Sequence, residues 1–255
     1  MGSIEIIPSE TRGRGVRLMA GAAAIYIVLH LVGFHRLFAD DGEGIGALLE
    51  IIGTLYSVVY AFATYVIWGQ FAAVENEIVK EAGALKDLVA FSRGLKEATR
   101  DPLVRAVRGY ARGVMESEWG ELSRGEDTER TDKLFSGMIS TATEIRPEND
   151  SERGVQERLL EIANQASAHR EERLAISAKR IPRTLLLFVT LTAVTILFLL
   201  FFFPFHNLAL GAISVAIATM LLFFAHFVLT DLDNPFEGTW NVSNQPFEDL
   251  AAKAR

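Results

Sequence analysis

Apolar residues in this chain fall into four long blocks separated by charged stretches. The first runs from Leu18 to about Phe34, the second from about Ile45 to Val74, the third from about Thr184 to Phe205, and the fourth from about Leu208 to Leu229. Crossing about 30 Å of hydrocarbon takes roughly 20 apolar residues as helix, so each block predicts a membrane span. A helix satisfies its own backbone hydrogen bonds inside lipid, which an open strand cannot do. Only Pro204, Phe205, His206 and Asn207 separate the third block from the fourth, which predicts a tight helical hairpin. The first block follows Arg12, Arg14 and Arg17, as a signal peptide would, but no small-x-small cleavage site follows it. It reads as a retained anchor.

Between the two pairs of spans lies a different pattern. Charges of both signs alternate with apolar residues at helical spacing, and no period-2 alternation marks a strand. Phe71, Glu75, Ile78, Ala82, Leu85 and Val89 carry the register of the second span onward without a breaker. Asp101 before Pro102 predicts an N-cap and a first-turn proline, and hence a helix to about Leu122. Gly125 marks a turn, a helix covers about 131–145, and Pro147 ends it. A long amphipathic helix covers 151–179, with Leu159, Leu160, Ile162, Ala163, Ala166 and Leu174 on its apolar side. The predicted fold is thus an all-α membrane protein with four transmembrane helices in two pairs and a cytoplasmic helical region between them.

The distribution of basic residues orients this arrangement. Arg12, Arg14 and Arg17 precede the first span, Lys179, Arg180 and Arg183 precede the third, and Lys253 and Arg255 stand near the C-terminus. The loop after the first span carries Asp40, Asp41 and Glu43. By the positive-inside rule both termini and the middle region are cytoplasmic. The expected segments are 1–17 cytoplasmic, 18–74 membrane, 75–180 cytoplasmic, 181–229 membrane and 230–255 cytoplasmic. The expected location is the plasma (inner) membrane.

Composition narrows the chemistry. Half of the 255 residues are hydrophobic, yet 22% are charged, and the net charge is −7. That balance speaks against nucleic acid as a partner. There is no cysteine, which excludes disulfides, thiol nucleophiles and Cys-ligated metals. His30, His35 and His226 lack ligand spacing, and no nucleophile–base pair is visible, so no enzymatic activity and no bound metal is expected from them.

Two features remain as candidate sites. On the second span Thr54, Ser57, Ala61, Thr64, Trp68, Phe71 and Glu75 alternate steps of three and four and so share one face. Small and hydroxyl residues gain nothing from lipid, so this face either packs against a helix or lines a water-filled path. In the second case Trp68 or Phe71 is the constriction, and a ring of Glu75 favours cations. After the fourth span Asp231, Asp233 and Glu237 cluster around Pro235 and Gly238. They are hard oxygen donors of the type that binds Ca²⁺, or equally a helix stop with Asx turns. Phe236, Trp240 and Phe247 predict that this tail folds back onto the protein.

Three stretches resemble the bestrophin-like family of membrane proteins. They are Tyr60–Leu88, then Tyr110, Val114, Glu118 and Trp119, and then Leu232–Leu250 with its LDxPFxGxxxVSxxP pattern. More distantly the chain resembles the bestrophins themselves. The resemblance implies a pentameric ion channel with a hydrophobic neck on its second helix. Animal bestrophins conduct anions under Ca²⁺ control through an acidic clasp after the last span, and a bacterial member prefers cations. Here only Asp231, Asp233 and Glu237 correspond to the clasp, and the dense acidic run is missing. Bestrophin necks use Ile and Phe, whereas this stripe offers Ala61, Thr64, Trp68 and Phe71. The expected function is a homo-oligomeric ion channel leaning to cations, in contact with the lipid bilayer, copies of itself and inorganic ions. The alternative is a non-conducting scaffold or sensor that recruits a partner through its cytoplasmic helices.

Overall fold

A computed structural model describes residues 8–253; Arg255 and the first seven residues of the N-terminal segment lie outside them, as does the side chain of Lys253. Among the described residues there are helices and turns and no strand. The helices are α1 (Ser9–Leu31), α2 (Gly42–Phe91), α3 (Glu97–Gly113), α4 (Trp119–Arg124), α5 (Glu129–Thr143), α6 (Asp150–Ser177), α7 (Arg183–Phe202), α8 (Leu208–Leu232) and α9 (Gln245–Lys253). Four of them are long and apolar enough to cross a membrane: α1, α2, α7 and α8. The chain divides into two compact units, one made of residues up to Trp68 with Ile181–Asp233, the other of Gly69–Arg180 with Asn234–Arg255.

The first unit holds α1, the N-terminal part of α2, α7 and α8. Its first span departs from the sequence pattern. Helix α1 starts at Ser9, well before Leu18, and Arg12, Arg14 and Arg17 lie inside it. It ends at Leu31, because Gly33 takes a left-handed backbone (φ 85) and Phe34 opens a 3-10 turn reaching Asp41. There Phe34 and Phe38 pack on Phe202, with ring centroids 5.3 and 5.0 Å away. Helices α1 and α8 pack closely through glycine. A Cβ on Gly211 would collide with the Tyr26 hydroxyl, and one on Gly15 would stand 3.0 Å from Phe223. Small residues are what let membrane helices approach this closely. Tyr60 donates to the carbonyl of Ala225 (3.2 Å), joining α2 to α8.

The second unit has the apolar core. The C-terminal turns of α2 supply Val74, Ile78, Leu85 and Leu88; α3 supplies Leu103, Val107 and Tyr110; α6 supplies Leu159, Ile162 and Ala166. The expected N-cap at Asp101 is not used. Helix α3 begins four residues earlier, after the extended Lys96, and Pro102 sits inside it. The proline forfeits one backbone hydrogen bond. Burial of Leu103 and Val107 immediately after it offsets that loss. Gly125 does end α4 with φ 67, and Asn149 caps α6 by accepting from Glu152 N at 2.8 Å. The tail folds into this unit in part. Phe236 and Phe247 are buried and α9 forms, whereas Trp240 stays exposed.

Candidate functional site

The stripe predicted on α2 lies on a single helix, and most of it is uncovered by the rest of the chain. Thr54, Ser57, Ala61, Trp68 and Glu75 are exposed, and Thr64 and Phe71 are partly buried. Ser57 and Thr64 turn their hydroxyls back to the carbonyls of Gly53 and Tyr60, at 2.8 and 2.9 Å, so neither carries an unmet donor. Phe71 packs against the core of the second unit. On the opposite flank Ile45, Tyr56, Ala63, Ile67 and Val74 are buried. The helix therefore has one side committed to its own chain and a broad free side.

That free side carries a second stripe, which the sequence reading passed over. Ile51, Val58, Phe62 and Tyr65 are its most open large residues, with Tyr65 77% exposed. With Leu55 they step by four and three along the helix, the repeat that seats one helix against another. The signal was in the sequence, but in an apolar span every face reads as buried or lipid-facing.

In the second unit the helices enclose charge. Arg173 on α6 and Glu81 on α2 are both fully buried and meet at 2.7 Å, Arg173 Nε donating to Glu81 Oε2. Arg173 Nη2 also stands 2.6 Å from Glu118 Oε1. Arg170 donates to Glu118 Oε2 (2.8 Å), to Asp132 (2.6 Å) and to the hydroxyl of Tyr110 (2.6 Å). Tyr110 in turn donates to Glu81. A five-residue π-helical turn, Val114–Glu118, sits between α3 and α4 and ends on the buried Glu118. Such turns rotate the side chains that follow them. Aromatic faces complete the shell: Arg170 lies over Tyr110 and Phe135, and Arg173 over Trp119 and Phe247.

The network sets the ionisation of its members. Burial alone would push the Glu118 carboxyl up; Arg173 and Arg170 beside it outweigh that and hold it below the usual carboxylate range. Burial would lower the Arg173 guanidinium, but Glu81 and Glu118 raise it well above its ordinary value. Burial, reinforced by the charge of Glu81, drives the Tyr110 phenol well up. Nearby on α2, burial of Glu77 is likewise outweighed, here by Lys80 and His169, both at 2.7 Å, and its carboxyl is lowered.

Polar residues after α8 are engaged in hydrogen bonds with the chain itself. Asp233 Oδ1 accepts from the backbone N–H of Ile181 at 2.7 Å. Glu237 faces the amide nitrogen of Asn234 at 3.3 Å. The Oδ1 of Asn234 faces a guanidinium nitrogen of Arg180 at 3.5 Å, a neighbour that repels a cation. Asp231 lies in the last turn of α8. Among the described residues no group of three or more acidic or histidine side chains has metal-holding geometry. The helix-stop reading is the one the hydrogen bonds support.

The motif residues behind the sequence resemblance have a common location. Trp119 packs edge-on against Phe236 and Phe247, with ring centroids 5.3 and 5.9 Å away, and Tyr110 packs on Phe247 at 6.4 Å. They form the core of the second unit, around the buried charges. Over residues 16–247 the chain matches the Bestrophin-like domain. It belongs to the bestrophin-like family. Solved structures share the fold of this bestrophin-like chain. A point mutant of a bacterial bestrophin homologue from Klebsiella pneumoniae superposes with a TM-score of 0.72 at 11% identity, covering 92% of this chain and 98% of that one. A second mutant of the homologue gives 0.69 at 13% identity, covering 99% and 100%. A structure described only as a membrane protein gives 0.71 at 10% identity, covering 92% and 97%. No curated protein sequence matches the chain.

Proposed function

We propose that this bestrophin-like chain assembles into a homo-pentameric ion channel with α2 lining the pore. The observation that carries the reading is the free side of α2. One helix offers two adjacent stripes uncovered by its own chain, an apolar one (Ile51, Val58, Phe62, Tyr65) and a small, hydroxyl-bearing one (Thr54, Ser57, Ala61, Thr64). Besides the side held by its own chain, a helix lining a closed ring needs one surface for a neighbouring copy and another for the axis. The two stripes, a quarter-turn or so apart, meet that need. Trp68 forms the constriction and Glu75 an inner ring.

The ring leans to cations. Asp40, Asp41 and Glu43 stand exposed at one end of the outer part of α2, and Glu75 is exposed beyond Trp68. Acidic rings raise the local cation concentration and repel anions. In this reading the four apolar helices form two transmembrane pairs, both termini and the second unit face the cytoplasm, and the chain carries ions rather than catalysing a reaction.

The test is the current–voltage relation of purified protein in a planar bilayer under a KCl gradient. The expected result is a protein-dependent current whose reversal potential has the sign of cation selectivity, shifted towards zero by Glu75→Gln. Electrical silence in both Ca²⁺ and EGTA sinks the channel reading. Selectivity untouched by Glu75→Gln removes that residue from the path.

A further inference from the structure

Two histidines face each other across the corner that leaves α1. His30 stands in the last turn of that helix and His35 in the 3-10 turn that follows, with the left-handed Gly33 between them. Their imidazoles lie face to face, ring centroids 3.9 Å apart and planes 7° from parallel. Nδ1 of His30 lies 3.5 Å from the Tyr26 hydroxyl. Nδ1 of His35 is buried and meets no hydrogen-bond partner. His35 therefore holds the turn to α1 through its ring face rather than through a hydrogen bond.

The surroundings supply no charge to balance a proton on either ring. Among the described residues no carboxylate forms an ion pair with His30 or His35, Asp40 and Asp41 of the same turn included. Arg36, also in the turn, places a further positive charge near His30. From α1 the ionisable neighbour is Tyr26. The turn between α7 and α8 offers Phe205, packed edge-on against Tyr26 at 6.2 Å, and α8 offers Gly211 against the same tyrosine. From α7 the turn meets Phe202, which packs on Phe34 and Phe38. His206, next to Phe205, is exposed and stacks on neither ring. Stacked neutral imidazoles attract, whereas two imidazolium rings this close repel, and each wants water that the stack excludes.

We propose that the His30–His35 stack is a proton-operated latch on the turn that leads into α2. A free imidazole takes its proton at about pH 6.5. Above that pH both rings are neutral and the latch is closed. As pH falls below it both rings become charged, the stack breaks, and Phe34–Asp41 is released from α1 while the helices stay formed. The contact is thus present at neutral pH and lost towards acid. Gly33 can absorb the movement, because a residue without Cβ has the widest choice of backbone angles. The turn carries Asp40 and Asp41 to the head of α2, so under the channel reading above the latch sets where two carboxylates of that mouth stand. The latch itself rests on the geometry of the pair, not on conduction or orientation.

Hydrogen–deuterium exchange of the full chain in detergent, read by mass spectrometry and corrected for the intrinsic pH dependence of amide exchange, tests it. In wild type, Phe34–Asp41 is expected to lose protection several-fold between about pH 7.5 and about pH 5, on either side of the imidazole range, while α8 keeps its own. His35→Phe, which stacks but takes no proton, is expected to stay protected at both pH values. His35→Gln, which does neither, is expected to be loose at both. Wild-type protection that is independent of pH overturns the proposal, as does an acid loss that persists undiminished in His35→Phe. An equal loss across α8 also overturns it, since that reports unfolding of the unit. A turn that opens in acid in an electrically silent protein supports the latch and removes only the channel reading.

Discussion

The two units of this chain bury opposite things. In the first, apolar side chains remain open: Phe198, Ile217 and Leu221 are among many more than half exposed. In the second, charge is sealed away: Glu81, Glu118 and Arg173 are fully buried. The physical reason is the solvent. A unit surrounded by hydrocarbon gains nothing by hiding leucine, so its helices are held by close approach at glycine and by interhelical hydrogen bonds. The second unit is held by its apolar core, and any charge inside that core needs partners. Helix α2 passes through both regimes, and its buried stripe changes from Tyr56, Ala63 and Ile67 to Ile78, Glu81 and Leu85 as it does so.

The largest effect that would sharpen this contrast is in the buried network. Arg173→Ala leaves Glu81 and Glu118 buried without their main partner, and breaking a buried pair costs about 3–5 kcal/mol. Chemical unfolding followed by Trp119 fluorescence should show it. A shift no larger than that of an exposed site would mean the network is solvated and the contrast false. Next comes the membrane unit's own vulnerable point. Gly211→Leu drives a side chain into Tyr26 and should cost about 1–3 kcal/mol by overpacking. Tyr26→Ala in the same chain should recover part of that loss in a thermal melt in detergent.

A pH titration separates the units again. Glu118 and Glu77 have carboxyls held below their ordinary range in the folded state. Their contribution is therefore present above the unfolded carboxylate pKa of about 4.3 and is lost as pH falls through the lower folded values. Acid should loosen the second unit before it affects helicity in the first, where no comparable buried ion cluster occurs among the described residues. Simultaneous loss by near- and far-ultraviolet circular dichroism would contradict that order. The smallest stability effect is expected at Trp68, half exposed on α2. Trp68→Ala should change stability less than either of the two substitutions above. Its effect should instead be on current, with a rise in single-channel conductance. A large destabilisation without that rise would turn the face from pore wall into packing surface.

How much of this was legible follows the same division. The four spans, the unbroken exit of α2 and the αL glycine at 125 stood in the pattern of residues. The start of α1 did not: Arg12, Arg14 and Arg17 looked like a flank, and only the pairing of Gly15 with α8 carries them into the span. The acidic cluster after α8 offered two readings by chemistry, and only the structure showed that Asp233 accepts from the backbone N–H of Ile181, as a helix stop would have it. On α6 the apolar side was read through Leu159, Ile162 and Ala166 to Leu174, although the buried face runs on through Arg170 and Arg173. The same register holds for Glu81 on α2 and Tyr110 on α3. Four polar residues in phase with three apolar stripes were a readable sign of a buried network, but periodicity counts apolar residues and passes over the charged ones in step with them.

The sequence alone marked the four helices that are long and apolar enough to cross a membrane, because a run of about twenty apolar residues has one stable environment. It also carried the family, through residues such as Tyr110, Trp119 and Phe247. Only the tertiary structure decided what those residues do. They close a core around two arginines, because burial, distance and hydrogen-bond direction are properties of several helices at once, and no single stretch of chain contains them.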